Sequence, residues 1–436
     1  MIVAKFGGSS LADAHQFQKV REIIRGDSER KYVVPSAPGK RSKEDEKITD
    51  LLYACHAAVR QGDDMQPLLH SVQARYQEIA DELALQFDLE KEFRVIGEAL
   101  LSGASRDFAA SRGEYLNGKL LAEYLGFAFV DAKDLFLFDK NGQLMEEETN
   151  RRIADALERV PQAVIPGFYG ADASGRIHTF TRGGSDITGA LVARALNADI
   201  YENWTDVTGV RVTDPRIVPD SQWISTMTYR ELRELSYMGF SVLHDEAVFP
   251  VRRAGIPTNI RNTNDPLHPG TMICAAAPIE PSHVVTGIAG LKGFTAIAIE
   301  KERMNAEPGF MRRMLQAFEE YGVSIENLPT GIDTMCVVVE DQALRPHQED
   351  ILRRIEELVH PDQMTLHSHL ALIATVGRGM VQNYGIAARL FSAISARGIS
   401  VRTIDQGSSE MNIIIGVDEK NFENAVKAIY DAFIRV

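Results

Sequence analysis

Cysteine, tryptophan, positive charge and long apolar runs are all in short supply in this chain, and each shortage excludes something. Only three cysteines stand in 436 residues, Cys55, Cys274 and Cys336. They are far apart and odd in number, so neither a disulfide framework nor a cysteine metal site is expected, and no metal ligands are assigned to the chain itself. Cys336 lies in the apolar run Met335–Val339 and reads as a buried thiol, which fits a reducing cytoplasm. No uninterrupted apolar run approaches the roughly 18 residues of a membrane helix, so no membrane association is expected. The start, Met1-Ile2-Val3-Ala4-Lys5, is broken by Lys5 and two glycines and does not read as a signal peptide. Lys and Arg total 47 against 61 Asp and Glu, a net charge of −14. Such a surface repels nucleic acid and anionic lipid, although a few local cations can still draw an anionic substrate into a cleft.

Length and composition predict two to three domains of ordinary globular character, with 44% apolar and 25% charged residues. Through about residue 275, strand-like and helix-like stretches alternate. Ile2–Phe6, Tyr32–Val34, Phe127–Asp131, Ala163–Pro166 and Ile200–Trp204 read as strands; Asp13–Arg25 reads as a helix, with Phe17, Val20, Ile23 and Ile24 on one face. That alternation predicts a mostly parallel sheet sandwiched by helices. Gly39–Lys47 reads as a charged, mobile insertion and Ala275–Ser282 as a linker.

The last third contains a repeat. A shift of 76 residues lays Phe294–Glu340 on Leu370–Gly416 without a gap. Met304, Gly309, Arg313, Ala317, Gly322, Ser324, Gly331 and Met335 meet Met380, Gly385, Arg389, Ala393, Gly398, Ser400, Gly407 and Met411. Each copy reads strand, glycine loop, helix, glycine, strand, turn, strand, helix, and each is too small to bury a large core alone, so the two are expected to pack together. The second copy has no room for a closing strand of its own; Val284–Leu291 can supply it.

Three segments carry chemistry. Lys5-Phe6-Gly7-Gly8-Ser9-Ser10 lies between the first strand and the first helix, where two glycines let backbone amides approach an anion beside a lysine. A plain Gly-Gly turn with a solvated lysine reads equally well from this segment alone. Thr181-Arg182-Gly183-Gly184-Ser185-Asp186 repeats the pattern, with Arg182 suited to a carboxylate; for Asp186, helix capping is the simpler account. Trp204–Arg216 leaves a strand and turns twice, where α/β sheets bind nucleotides, although a hairpin with an Asp-Pro turn would look the same. Gly113–Lys119 resembles a P-loop, but Leu120 stands where the magnesium-binding hydroxyl belongs. Tyr115, Leu116, Leu120, Leu121, Tyr124 and Leu125 make it a helix instead.

Lys5–Ser10, Arg182–Asp186, Trp204–Arg216, Glu234–Gly239 and Ile260–Thr263, in this order across the chain, resemble the aspartate kinases of the amino-acid kinase superfamily, and the repeat resembles a tandem pair of ACT domains. The resemblance implies an amino-acid kinase fold over residues 1–280, followed by two ferredoxin-like ACT domains. The first would span 292–366 and the second 284–291 plus 367–436. It implies transfer of the γ-phosphoryl group of ATP, with Mg²⁺, to the β-carboxylate of L-aspartate, the first step toward lysine, threonine and methionine. Lys5, Gly7, Gly8 and Ser9 would contact the transferred group, and Asp186 would orient Lys5 and help order the loop. Thr49, Glu114, Arg182 and Ser185 would hold aspartate, with Glu114 on its ammonium and Arg182 on its α-carboxylate. Lys5, Thr205, Asp206, Arg211 and Arg216 would hold the nucleotide. Effector binding would fall at Met304, Gly309, Phe310, Ser324, Ile325, Glu326 and Thr330. Glu326, where the second copy has Arg402, suits a cationic effector and points to lysine. A homodimer or larger assembly through the ACT domains is implied.

The chain departs from that pattern at Ser9, where threonine is usual, and at Ser241, where many relatives carry a nucleotide-contacting lysine; the resemblance assigns no role to the Gly39–Lys47 insertion. The rival readings are a kinase of the same superfamily acting on glutamate or acetylglutamate, and a catalytically silent amino-acid sensor. Retention of Lys5, Arg182 and Asp186 speaks against the sensor.

Overall fold

A computed structural model describes residues 1–181, 183–240, 243, 245–278 and 284–435. Contacts divide the chain into two units, one of residues 1–210, 225–229 and 242–277, the other of 211–224, 230–241 and 278–436.

The first unit holds an eight-stranded sheet and a small three-stranded one. In chain order the strands are β1 (Ile2–Phe6), β2 (Arg30–Pro35), β3 (Ala128–Phe129), β4 (Leu137–Phe138), β5 (Ala163–Val164), β6 (Tyr169–Asp172), β7 (Ile177–Thr179), β8 (Ile200–Thr205), β9 (Thr226–Thr228), β10 (Thr258–Asn262) and β11 (Thr271–Cys274). The large sheet runs β3-β5-β2-β1-β8-β10-β11-β9, and β4-β6-β7 form the small one. From β3 to β10 every pairing is parallel; only β11 runs against β10. Every residue of β1 is buried, as a central parallel strand covered on both faces requires. Helices α1 (Ala14–Arg25), α2 (Ile48–Gln61), α3 (Gln66–Glu82), α4 (Leu89–Leu101) and α5 (Arg106–Leu125) share one core with it. Asp13 caps α1 by accepting from the Gln16 amide, and Phe17, Val20, Ile23 and Ile24 are its buried face. Gly113–Lys119 is mid-helix in α5. The predicted Phe127–Asp131 strand shrinks to β3, a two-residue edge paired only with β5.

The Gly39–Lys47 insertion is anchored rather than free. The Arg75 guanidinium, 6% exposed, pairs with Asp45 at 2.5 Å and donates to the carbonyls of Ala12 and Gly39. Burial acts to raise the Asp45 carboxyl, but hydrogen bonds from Arg41 and the charges of Arg75 and Arg41 outweigh it and bring it to about 2.

The second unit is built on a five-stranded sheet ordered β13-β12-β14-β16-β15: β12 (Gly287–Glu300), β13 (Thr334–Glu340), β14 (Gln363–Val376), β15 (Val401–Asp405) and β16 (Asn412–Asp418). Two 14-residue strands, β12 and β14, run antiparallel at its centre and serve both repeats. Gly287–Leu291 pairs with Leu372–Val376 of the second copy, and Phe294–Glu300 pairs with β13 of the first. The copies differ at one strand. Val401–Asp405 is β15, but its counterpart in the first copy makes only isolated bridges, Asn327 to Val338 and Thr330 to Met335. Pro329, aligned with Asp405, has no amide to donate to a ladder. Cys336 is partly rather than fully buried, and burial raises its thiol. The Ala275–Ser282 linker lies partly outside the described residues.

Candidate active site

β1, β2, β8 and β10 are parallel, so their carboxyl ends open on one edge of the sheet, where open α/β sheets take ligands. The register sets Lys5 beside Val34 and Asn203, and Phe6 beside Pro35 and Trp204. The chain then turns through Gly7, whose amide donates to the Trp204 carbonyl at 2.9 Å. Gly8 must be glycine: a Cβ there would stand 2.9 Å from the Ala37 carbonyl oxygen and 3.2 Å from the Gly39 backbone. The Gly39 amide donates to the Gly8 carbonyl at 2.8 Å, so two bare backbones cross and hold the loop. The Ser10 and Thr263 hydroxyls, 2.7 Å apart, close its far side.

The second glycine loop meets the first through a buried ion pair. Lys5 Nζ lies 2.6 Å from Asp186 Oδ1. Asn203 Nδ2 donates to the same oxygen at 2.7 Å, and the Tyr201 hydroxyl donates to the Asp186 carbonyl at 3.0 Å. Capping does not explain Asp186. The helix Gly184–Ala195 is capped by Gly183 at φ +58, and Asp186 sits in its first turn, facing Lys5. A Cβ on Gly7 would be 3.7 Å from Lys5 Nζ, so the ammonium lies directly below the turn. Ser185 packs on the bare backbone of Gly167, where a Cβ would come within 2.6 Å of its Oγ. Arg182 lies outside the described residues.

Glu114 is brought to the same edge by α5. Gly113 packs against Ala37 and Ile48, where a Cβ would stand 2.9 Å and 3.5 Å away, which places Glu114 next to the loop after β2 and next to the start of α2, where Thr49 is half-buried. Glu114 is 6% exposed, and its Oε2 has no hydrogen-bond partner among the described residues. Burial pushes its carboxyl up to about 8, against the opposing pull of backbone hydrogen bonds from Ala37 and Glu114 and of the Arg112 charge. A buried carboxylate with a vacant oxygen suits a bound cation better than a structural bond.

The other predicted residues divide. In the first unit, Ser9 is half-buried in the turn after Gly8, and the Thr205 hydroxyl donates to the exposed Asp206 at 3.2 Å. Arg211 and Arg216 belong to the second unit. The Arg211 guanidinium stacks 4.0 Å from the Trp223 ring and donates to the Ser221 carbonyl; Arg216 is exposed and bonded to Asp214 at 2.6 Å. Ser241 lies outside the described residues. Among the effector candidates, the Met304 and Phe310 side chains are buried in the core of the first repeat and can offer a ligand only backbone atoms. Gly309, at φ +77, opens the helix Phe310–Glu319. Ser324 and Thr330 are exposed, and Ile325 and Glu326 are half-buried. Glu326 accepts from the Tyr237 hydroxyl at 2.6 Å, whereas Arg402, its counterpart, pairs with Asp418 at 3.0 Å.

Sequence reasoning missed Asn203, Tyr201 and Gly39. A signal for Asn203 existed, since Glu202-Asn203 interrupts an otherwise apolar strand and a polar residue buried on a central strand needs a partner. Gly39 had none, because its role depends on Gly8, distant in sequence.

The model of the amino acid kinase family matches residues 1–262, and an ACT domain model matches 373–433. Aspartokinase 3 of Bacillus subtilis is 41% identical over 449 residues, covering 99% of this chain and 98% of the relative. The solved aspartate kinase of Clostridium acetobutylicum is 49% identical, with a TM-score of 0.94 over 99% of this chain and 100% of that one. An Escherichia coli aspartokinase III structure in complex with aspartate and ADP shares the fold, at TM-score 0.75 and 24% identity over 99% of each chain. The chain belongs to the amino acid kinase family and, within it, to the aspartokinases.

Proposed function

We propose that the chain transfers the γ-phosphoryl group of ATP to the β-carboxylate of L-aspartate, giving 4-phospho-L-aspartate, with residues 1–280 as the catalytic domain. The observation that carries this reading is the Lys5–Asp186 pair beneath the Gly7 turn. Phosphoryl transfer between two anions needs positioning and charge stabilisation more than covalent chemistry. Asp186, held by Asn203, keeps Lys5 pointed at the transferred group, while Gly7, Gly8 and Ser9 offer amides and a hydroxyl. Glu114 takes the aspartate ammonium, Arg182 its α-carboxylate, and Thr49 and Ser185 complete the cradle. The β-carboxylate is then the nucleophile and is already ionised, so no general base is required. Thr205, Asp206, Arg211 and Arg216 are assigned to the nucleotide.

Among the described residues no group of three or more acidic, His or Cys side chains gathers as a metal cage. Mg²⁺ suits this site as the complex of the nucleotide, held mostly by phosphate oxygens, to neutralise charge on the transferred group.

The repeats, 292–366 and 284–291 plus 367–436, are read as two ACT regulatory domains that pair in a homodimer or larger assembly. Lysine is read as the inhibitor at Glu326, as a product of the pathway this step would open. The compartment is read as the cytoplasm. One assay tests the core of this reading: ATP-dependent formation of acyl phosphate, trapped with hydroxylamine, on aspartate, glutamate and acetylglutamate, repeated with lysine, threonine and methionine added. Turnover on aspartate alone is expected, and preference for another acceptor overturns it.

A further inference from the structure

A groove of about 600 Å³ on the first unit takes no part in the proposed reaction. One wall is α2, which presents His56 and Arg60, four residues apart on one face. The second is the loop Gly103–Ser105 with the start of α5. The third is the turn between β6 and β7, with Gly175 and Arg176.

Three features point to an anion. First, the His56, Arg60 and Arg176 side chains converge here in a chain of net charge −14, and none has a hydrogen-bond or ion-pair partner among the described residues. Second, the nearby acids are engaged. Asp172 is held by Ser174 and His178, whose hydrogen bonds keep its carboxyl far below the usual range, and Asp107 faces the Thr179 amide. Third, the lining is bare backbone where a ligand would lie. Gly103 and Gly175 have positive φ and open space where a Cβ would be. Ser105 caps α5 by accepting from the Phe108 amide, and the Arg106 and Asp107 amides ahead of it have no acceptor within the helix.

We propose that this groove binds a small phosphate-bearing anion through Arg60, Arg176 and His56, as a second site separate from the glycine loops. Its walls belong to the elements that carry the aspartate residues. Thr49 is in the first turn of α2, Glu114 is on α5, and β7 runs on to the Gly183 loop. Bridging Arg60 and Arg176 draws those elements together, so occupancy changes KM for aspartate. That coupling rests on the proposed roles of Thr49 and Glu114; the binding does not.

The test is calorimetric titration of the full chain with inorganic phosphate, pyrophosphate or AMP, with saturating ADP and aspartate filling the catalytic loops. The expected result is one site per chain in at least one arm, weakened by added salt and about tenfold or more by the exposed pair Arg60→Gln/Arg176→Gln. The responding arm identifies the source of the phosphate. No binding in any arm, or binding unchanged in the double variant, overturns the proposal. Binding that leaves KM for aspartate unmoved keeps the site and removes the coupling.

Discussion

The Tyr237 hydroxyl donates a 2.6 Å hydrogen bond to the carboxylate of Glu326. Tyr237 is the last residue of the helix Tyr229–Tyr237 and lies within the Glu234–Gly239 segment. A cationic effector taking Glu326 competes with that hydroxyl for the carboxylate. Tyr237→Phe is therefore expected to make inhibition by lysine stronger by about two- to tenfold, the worth of one such bond. Uninhibited turnover should stay unchanged, and Glu326→Ala should lose both binding and inhibition. Lysine titrations of the wild type and both variants decide it. Unaltered sensitivity in Tyr237→Phe and Glu326→Ala alike removes Glu326 from the effector site.

Lys5→Met and Asp186→Asn should each lower kcat by on the order of 10²–10³, as the loss of a preorganised charge contact does. Asn203→Ala, which removes a hydrogen bond to Asp186 but leaves both charges of the pair, should cost less. Each substitution leaves the backbone pairing of β1 with β8 in place, so thermal unfolding should remain cooperative in all three, at a lower midpoint. Near wild-type kcat in Lys5→Met would exclude the ion pair from the chemistry.

With Glu114 on the aspartate ammonium, as proposed, binding of aspartate should depend on pH. Burial pushes its carboxyl up to about 8, and an ammonium partner would require its charged form. KM for aspartate should therefore fall about tenfold per pH unit as pH rises toward 8, then flatten. The stability effect has the opposite slope. A carboxyl raised from 4.5 to about 8 on folding favours the folded state most below pH 4.5, and that contribution is lost as pH rises to 8. Glu114→Gln should abolish both slopes. Initial rates across the pH range, with unfolding midpoints in the same buffers, are the measurements.

Gly8→Ala and Gly39→Ala should behave alike although the residues are 31 positions apart (39 − 8 = 31). A methyl on either meets backbone of the other loop at 3.2 Å or less, and backbone cannot rotate away. A loss of about 1–3 kcal/mol in stability is expected for each, with a fall in kcat. The double variant should cost less than the sum, because the first methyl already separates the loops. Strict additivity of the unfolding free energies would show that the crossing is not shared.

Local pattern made much of this protein legible before folding. The largely apolar β1, the one-sided α1 and the alternation through residue 275 follow from which side chains water rejects, and that is a local property. The 76-residue repeat predicted two like copies that pack together, and Leu120 in place of a hydroxyl identified the false P-loop. The order of the glycine segments carried the family resemblance. Other features needed the tertiary structure, because they depend on residues distant in sequence. Asp186 reads as a helix cap until Gly183 takes that place and Lys5, 181 residues earlier (186 − 5 = 181), meets its carboxylate. The Gly39–Lys47 charges read as a free insertion until Arg75 anchors Asp45. Glu114 is one acid among many until α5 buries it beside Ala37, and burial pushes its carboxyl up to about 8.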